Sequence, residues 1–278
     1  MKLFLDGLGF GEGLRWHEGR FWFSDFLRHH VASIGSDGQD FRVEAVLGDR
    51  PSGLGWLPDG RLLLVSMRRQ VLLRRELDGT LVEHADLSNV ATSDVNDMVV
   101  GPDGTAYVGN FGSDLLAGEP LMPASLAVVR ADGTVTAVNA ELMFPNGSVI
   151  TPDGRTLIVG ESLARRYRAF PINPDDSLGE SRVWAELDKR SPDGCTLDAD
   201  GAIWFANAGG KEVVRVLPGG EITDVLETPE TAYACTLGGP DGRTLLVATS
   251  PSPPRNDVEP GAAHLWRSTV AVPRDGYP

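Results

Sequence analysis

Apolar and polar residues alternate along this chain in a short, recurring phrase: a polar turn, a run of β-forming residues, then another turn. The phrase reads WHEGRFWFSD at 16–25, LPDGRLLLVS at 57–66, GPDGTAYVGN at 101–110 and TPDGRTLIVG at 151–160, and it returns as DADGAIWFAN at 198–207 and GPDGRTLLVA at 239–248. Its turn glycines, Gly19, Gly60, Gly104, Gly154, Gly201 and Gly242, stand 41 to 50 residues apart. Pro presets φ at the first central position of such a turn, and Asp-Gly supplies the positive φ that a tight hairpin needs. Second turns fall between the copies at Asp37-Gly38, Asp78-Gly79, Asp132-Gly133 and Gly219-Gly220, after strand-like stretches such as Val71–Leu77, Leu126–Arg130 and Val213–Leu217. Two hairpins per period make a four-stranded antiparallel blade. Six periods of this length predict an all-β protein, a six-bladed β-propeller around a central channel, with residues 1–278 forming one domain.

Composition supports the strand reading. The 33 glycines and 19 prolines are spread from end to end, leaving little room for long helices. With 39 acidic against 25 basic side chains the formal charge is −14, a field that repels phosphate backbones and anionic lipid. Neither nucleic acid nor a membrane is therefore expected as a partner, and no apolar run approaches the roughly 18 residues of a span. The opening MKLFLDGLGFGEG lacks the apolar core and cleavage site of a signal peptide, so the expected location is cytoplasmic. Only Cys195 and Cys235 are present, which excludes a disulfide framework and a Cys-x-x-Cys zinc site. No Gly-x-Ser-x-Gly elbow, His-Glu-x-x-His helix or phosphate loop occurs. Cys195, two residues past Asp193, is expected as a buried thiol.

In a propeller the innermost strand of each blade lines the channel, and these strands should run just ahead of the Pro-Asp-Gly-type turns. Eight residues before each turn glycine stand Gly11, Ser52, Asn96, Asn146, Asp193 and Ala234, with Glu12 one place later in the first blade, whose turn is shortened. Glu12, Asn96, Asn146 and Asp193 thus come from four blades and are expected to face one another at one end of the channel. Four converging oxygen-bearing side chains suit a hard divalent cation, Ca²⁺ first, with Mg²⁺, Mn²⁺ or Zn²⁺ also admitted by such donors.

Gly11-Glu12-Gly13 with Trp16, the pair Asn96-Asp97, Phe144-Pro145-Asn146-Gly147 and Ser191-Pro192-Asp193-Gly194 together resemble the gluconolactonase/regucalcin (senescence marker protein) family, and the resemblance covers essentially the whole chain. It implies a six-bladed propeller with one divalent cation held by Glu12, Asn146 and Asp193, and with Asn96 on substrate or a coordinated water. It also implies a small-molecule lactone or ester as substrate, opened by an attacking water whose proton Asp193 would take. At Asp94 the chain departs from the family, many of whose sugar lactonases carry Arg two residues before this Asn. Alternate residues on a strand share a face, so Asp94 and Asn96 are both expected to point into the pocket as substrate-binding residues, and an acidic group there disfavours anionic substrates. Two other readings share the resemblance: a non-enzymatic calcium-binding regulatory propeller, and an organophosphate or ester hydrolase using the same metal site. The leaving group in either hydrolase would be read by the connections 112–123 and 250–261.

Overall fold

The computed structural model describes residues 1–114, 118–254 and 261–277. Its strands form six four-stranded antiparallel sheets, the blades of a six-bladed β-propeller. After β1 (Lys2–Leu8), blade 1 comprises β2 (Gly11–His17), β3 (Arg20–Asp25), β4 (His30–Gly35) and β5 (Arg42–Val46). Blade 2 comprises β6 (Pro51–Trp56), β7 (Leu62–Ser66), β8 (Val71–Arg75) and β9 (Leu81–Asp86). Blade 3 holds β10 (Val95–Val100), β11 (Ala106–Asn110), β12 (Ala124–Val129) and β13 (Val135–Leu142). Blade 4 holds β14 (Pro145–Ile150), β15 (Thr156–Glu161), β16 (Arg166–Pro171) and β17 (Arg182–Glu186). Blade 5 is β18 (Pro192–Leu197), β19 (Ile203–Asn207), β20 (Glu212–Val216) and β21 (Ile222–Glu227). Blade 6 takes β22 (Thr231–Gly238), β23 (Thr244–Ser250) and β24 (Ala263–Thr269) from the end of the chain and its outermost strand, β1, from the beginning. No helix among the described residues is long and apolar enough to cross a membrane.

The turn arithmetic is realised in the backbone. All six repeat glycines have φ between 70° and 90°, and their counterparts in the outer hairpins, Gly38, Gly79, Gly133, Gly219 and Gly220, have φ between 85° and 98°. Blade 4 departs from the pattern: its outer connection turns at Asp176, a non-glycine residue with φ 66°, which is why no second Asp-Gly marks it in the sequence. The core lies between blades, not inside one sheet. Val149, Ile158 and Trp184 of blade 4 pack on Leu197, Ile203 and Phe205 of blade 5, and a comparable cluster fills each of the other blade junctions. Because both faces of the inner strands are covered, runs such as Leu62–Ser66 and Ile203–Asn207 are buried throughout, which explains their continuous apolar character. Tryptophans pack within the blades: Trp16 lies 4.6 Å from Phe21, and Trp184 is edge-on to Tyr167.

Every inner strand carries a register shift near its entry end, between Glu12 and Arg15, Pro51 and Leu54, Val95 and Met98, Pro145 and Ser148, Pro192 and Cys195, and Ala232 and Ala234. A β-bulge re-aims the side chain beside it. Here it falls at the same place in all six blades, next to the residues that face the channel mouth.

Candidate active site

The second residue of each of the first five inner strands, Glu12, Ser52, Asn96, Asn146 and Asp193, is buried at one end of the channel. The four residues expected from the repeat are therefore brought together. A chain of hydrogen bonds runs part of the way around the ring through Asn96 and Asn146: Ser52 Oγ donates to Asn96 Oδ1 (3.1 Å), Asn96 Nδ2 to Asn146 Oδ1 (3.1 Å) and Asn146 Nδ2 to Ser162 Oγ (3.2 Å), which in turn donates to the carbonyl of Pro192 (2.6 Å). Glu12 Oε2 and Asp193 Oδ1 each accept the N–H of the glycine that follows, Gly13 and Gly194. In the sixth blade the bulge presents Tyr233 to the cavity, not the Ala234 that residue counting put there.

Close approach of neighbouring inner strands is what draws these groups together. A Cβ on Gly147 would lie 2.2 Å from the carbonyl oxygen of Asp193, and one on Gly13 2.4 Å from that of Ser52. Only a residue without Cβ fits there, which is the physical content of the Glu-Gly, Asn-Gly and Asp-Gly pairs. Blade 3 breaks the series with Asp97, whose carboxylate turns away to Arg15 Nη2 (2.7 Å) and the Met98 N–H (2.8 Å). Arg15, 2% exposed, spans three blades: Nη1 donates to the Leu14 carbonyl, Nε to that of Leu54 and Nη2 to that of Met98. Sequence reasoning did not find this pair, whose partners lie 82 positions apart.

Burial raises the Glu12 carboxyl well above the usual carboxylate range, and the charges of Asp193 and Asp97 push it further. The Asp193 carboxyl is pushed up to about 8 by burial and by Asp97, against the opposing hydrogen bonds from Gly194 and Asn146. Two buried carboxyls that resist ionisation side by side are stabilised by a nearby cation, and the surrounding donors are hard carboxylate and amide oxygens. The residues present thus fit a divalent cation, which Glu12, Asn146 and Asp193 could hold. Among the described residues no cluster of three His, Cys, Asp or Glu side chains forms a metal site. The cradle has two carboxylates and completes its donor set with amide oxygen.

The four residues open into a cavity of about 420 Å³. Its walls are mostly aromatic and aliphatic, a feature the repeat did not reveal. Phe10, Phe26 and Tyr233 form one group, with Phe10 4.7 Å from Tyr233 and 5.4 Å from Phe26. Phe111 and Phe144 stack at 4.5 Å and 13° as a second group. Asp94 is not among the residues lining this cavity. It precedes β10, half-buried, its carboxyl raised by burial while Arg68 and Arg50 oppose and Asp49 and Asp114 add to the rise. Its carbonyl accepts the N–H of Phe111. Cys195 is buried away from the cavity, its thiol pushed up to about 12 by burial. Of the two connections expected to read the leaving group, 250–261 brings Pro253 and Pro254 to the cavity and no described residue of 112–123 lines it; residues 115–117 and 255–260 lie outside the described set.

The chain is thus a six-bladed propeller with two carboxyl and two amide side chains gathered at one mouth of its channel. The profile of the SMP-30/Gluconolactonase/LRE-like region matches residues 10–251, and the chain belongs to that family. Pentonolactonase XacC of Haloferax volcanii is 29% identical over 248 residues, 86% of this chain and 81% of its own. An L-arabinolactonase of Azospirillum brasilense is 33% identical over 131 residues, 43% of this chain and 44% of its own. Among solved structures, the calcium-binding protein regucalcin of Agrobacterium tumefaciens superposes with a TM-score of 0.80 at 24% identity, over 98% of this chain and 94% of its own.

Proposed function

We propose that this protein hydrolyses lactones to hydroxy acids, using one divalent cation held by Glu12, Asn146 and Asp193, with Ca²⁺ the first candidate. The observation that carries the reading is the convergence of these buried groups, with Asn96 beside them, at the floor of a cavity sized for a small molecule. The names of the relatives support it: two are lactonases and one is a calcium-binding protein.

When bound, the cation polarises the lactone carbonyl and offsets the charge that develops on its oxygen. Asp193 takes the proton of the water that attacks the carbonyl carbon and returns it to the ring oxygen as that bond breaks, so that the product leaves as a hydroxy acid. Glu12 supplies the second fixed negative charge. Asn96, already oriented by Ser52 and Asn146, positions the carbonyl or the water through its amide. The aromatic walls exclude bulk water, which strengthens each of these electrostatic effects. Ring opening releases one acid equivalent per turnover, so a pH-stat assay of a lactone panel tests the reading. Activity should disappear after chelation and return when Ca²⁺, Mg²⁺, Mn²⁺ or Zn²⁺ is added singly; hydrolysis that persists in the stripped protein would refute the cation's part.

A further inference from the structure

The cavity above the cradle has little with which to greet a sugar. Among the described residues, and apart from the cradle itself, the polar side chains lining it are those of Ser162, Ser191 and Tyr233. Both serine hydroxyls are already committed to the protein: Ser162 Oγ donates to the Pro192 carbonyl, and Ser191 Oγ donates to the Ser162 carbonyl (2.9 Å). Asn96 accepts from Ser52 and donates one amide hydrogen to Asn146, which leaves a single N–H for one substrate oxygen. No Lys, Arg or His is among the described residues lining the cavity. A polyhydroxylated lactone seated here would give up water around each hydroxyl and find few partners in return. Each such loss lowers affinity roughly 5- to 150-fold.

What the cavity does offer is ring and methylene surface. Phe10, Phe26 and Tyr233 line it as one contacting group, the first two almost wholly buried, and Phe111 and Phe144 line it as a stacked pair. Phe144 is held at φ 61°, a left-handed backbone rare for a bulky residue, immediately before the strand that carries Asn146. Such strain persists where the surroundings enforce it, and it gathers at ligand sites. Here it places an aromatic ring flat against Phe111, next to the reacting centre.

The geometry points to a neutral lactone bearing an apolar alkyl or aryl substituent as the substrate of this site, in preference to a polyhydroxylated sugar lactone. The inference rests on the hydrolytic reading above for its chemistry, and on the lining of the cavity for its selectivity. The substituent lies against the aromatic groups, and the ring carbonyl reaches down to Asn96 and the cradle. Each buried methylene of the substituent adds about fourfold to binding until the cavity is filled.

The test pairs two γ-lactones of equal ring size on the Ca²⁺-loaded protein: γ-nonalactone, with a five-carbon chain, and a pentono-γ-lactone. Binding of the matching non-hydrolysable γ-lactams is followed by calorimetry with and without Ca²⁺. The expected kcat/KM ratio favours γ-nonalactone by at least about tenfold. Phe144→Ser and Phe111→Ser should each lower its kcat/KM about tenfold, chiefly through KM. A pentonolactone handled equally well or better overturns the substrate class and leaves the hydrolytic reading standing. If neither lactone is opened, the hydrolytic reading falls, and the lactams decide the rest: tighter binding of the pentyl lactam supports an apolar ligand, and equal or weaker binding refutes it.

Discussion

Asp193 combines two duties that one substitution separates. An amide at this position keeps an oxygen for the cation and loses the ability to take a proton, so Asp193→Asn should retain cation binding within about tenfold and lose about 10²- to 10⁴-fold in kcat. Calorimetric titration beside steady-state kinetics checks both halves. Arg15 and Asp97 present the opposite case, a buried pair with a structural task. Removing one partner leaves the other charged and unpaired, which costs about 3–5 kcal/mol, whereas replacing both with neutral groups recovers most of the loss. Denaturant unfolding of Arg15→Met, Asp97→Asn and the double variant measures this directly. The contrast also shows what could be read from the chain. Asn96, Asn146 and Asp193 were legible because each stands eight residues before a turn glycine, and Glu12 because it stands one place later in a blade whose turn is shortened. Arg15 was not, because its partner sits two blades away and the pairing follows no local period. The placement of Asp94 turns on a single residue: faces alternate only within a strand, and β10 starts at Val95.

At the level of the strand, the site depends on how closely the inner strands approach. Gly147→Ala would drive a methyl into the Asp193 carbonyl unless β14 and β18 separate. The expected result is a cation affinity at least about tenfold weaker with a lower melting temperature, since a carbonyl shift of an ångström displaces the adjoining carboxylate. Calorimetric titration and thermal scanning follow the two effects. The stretches Val71–Leu77, Leu126–Arg130 and Val213–Leu217, read from turns and apolar runs, match β8, β12 and β20 to within two residues. The aromatic walls were not. Phe10, Phe26, Phe111 and Phe144 lie in the connections between strands, where no alternation assigns a face and only the closed ring brings them together.

At the level of the whole molecule, the ring is closed by β1, which pairs with β24 from the far end of the chain (Lys2 opposite Arg267 and Leu8 opposite Ala263). The sequence repeat counts six turns, but the sixth copy supplies only three strands, and nothing local in residues 2–8 names their partner. Deleting residues 1–8 should bare the edge of β24 and lower the melting temperature by on the order of 10 °C, with a rise in aggregation. Differential scanning calorimetry with light scattering checks it. The account as a whole stands on the claim that one cation at the channel mouth and the carboxylate of Asp193 act together on a lactone. The direct measurement is the rate of γ-lactone opening by chelator-stripped protein as Ca²⁺ is added in substoichiometric steps. The rate should rise in proportion to added cation, break at one ion per chain, and stay near zero in Asp193→Asn although that variant binds the ion. An undiminished rate in the stripped protein, or an active Asp193→Asn, would contradict it.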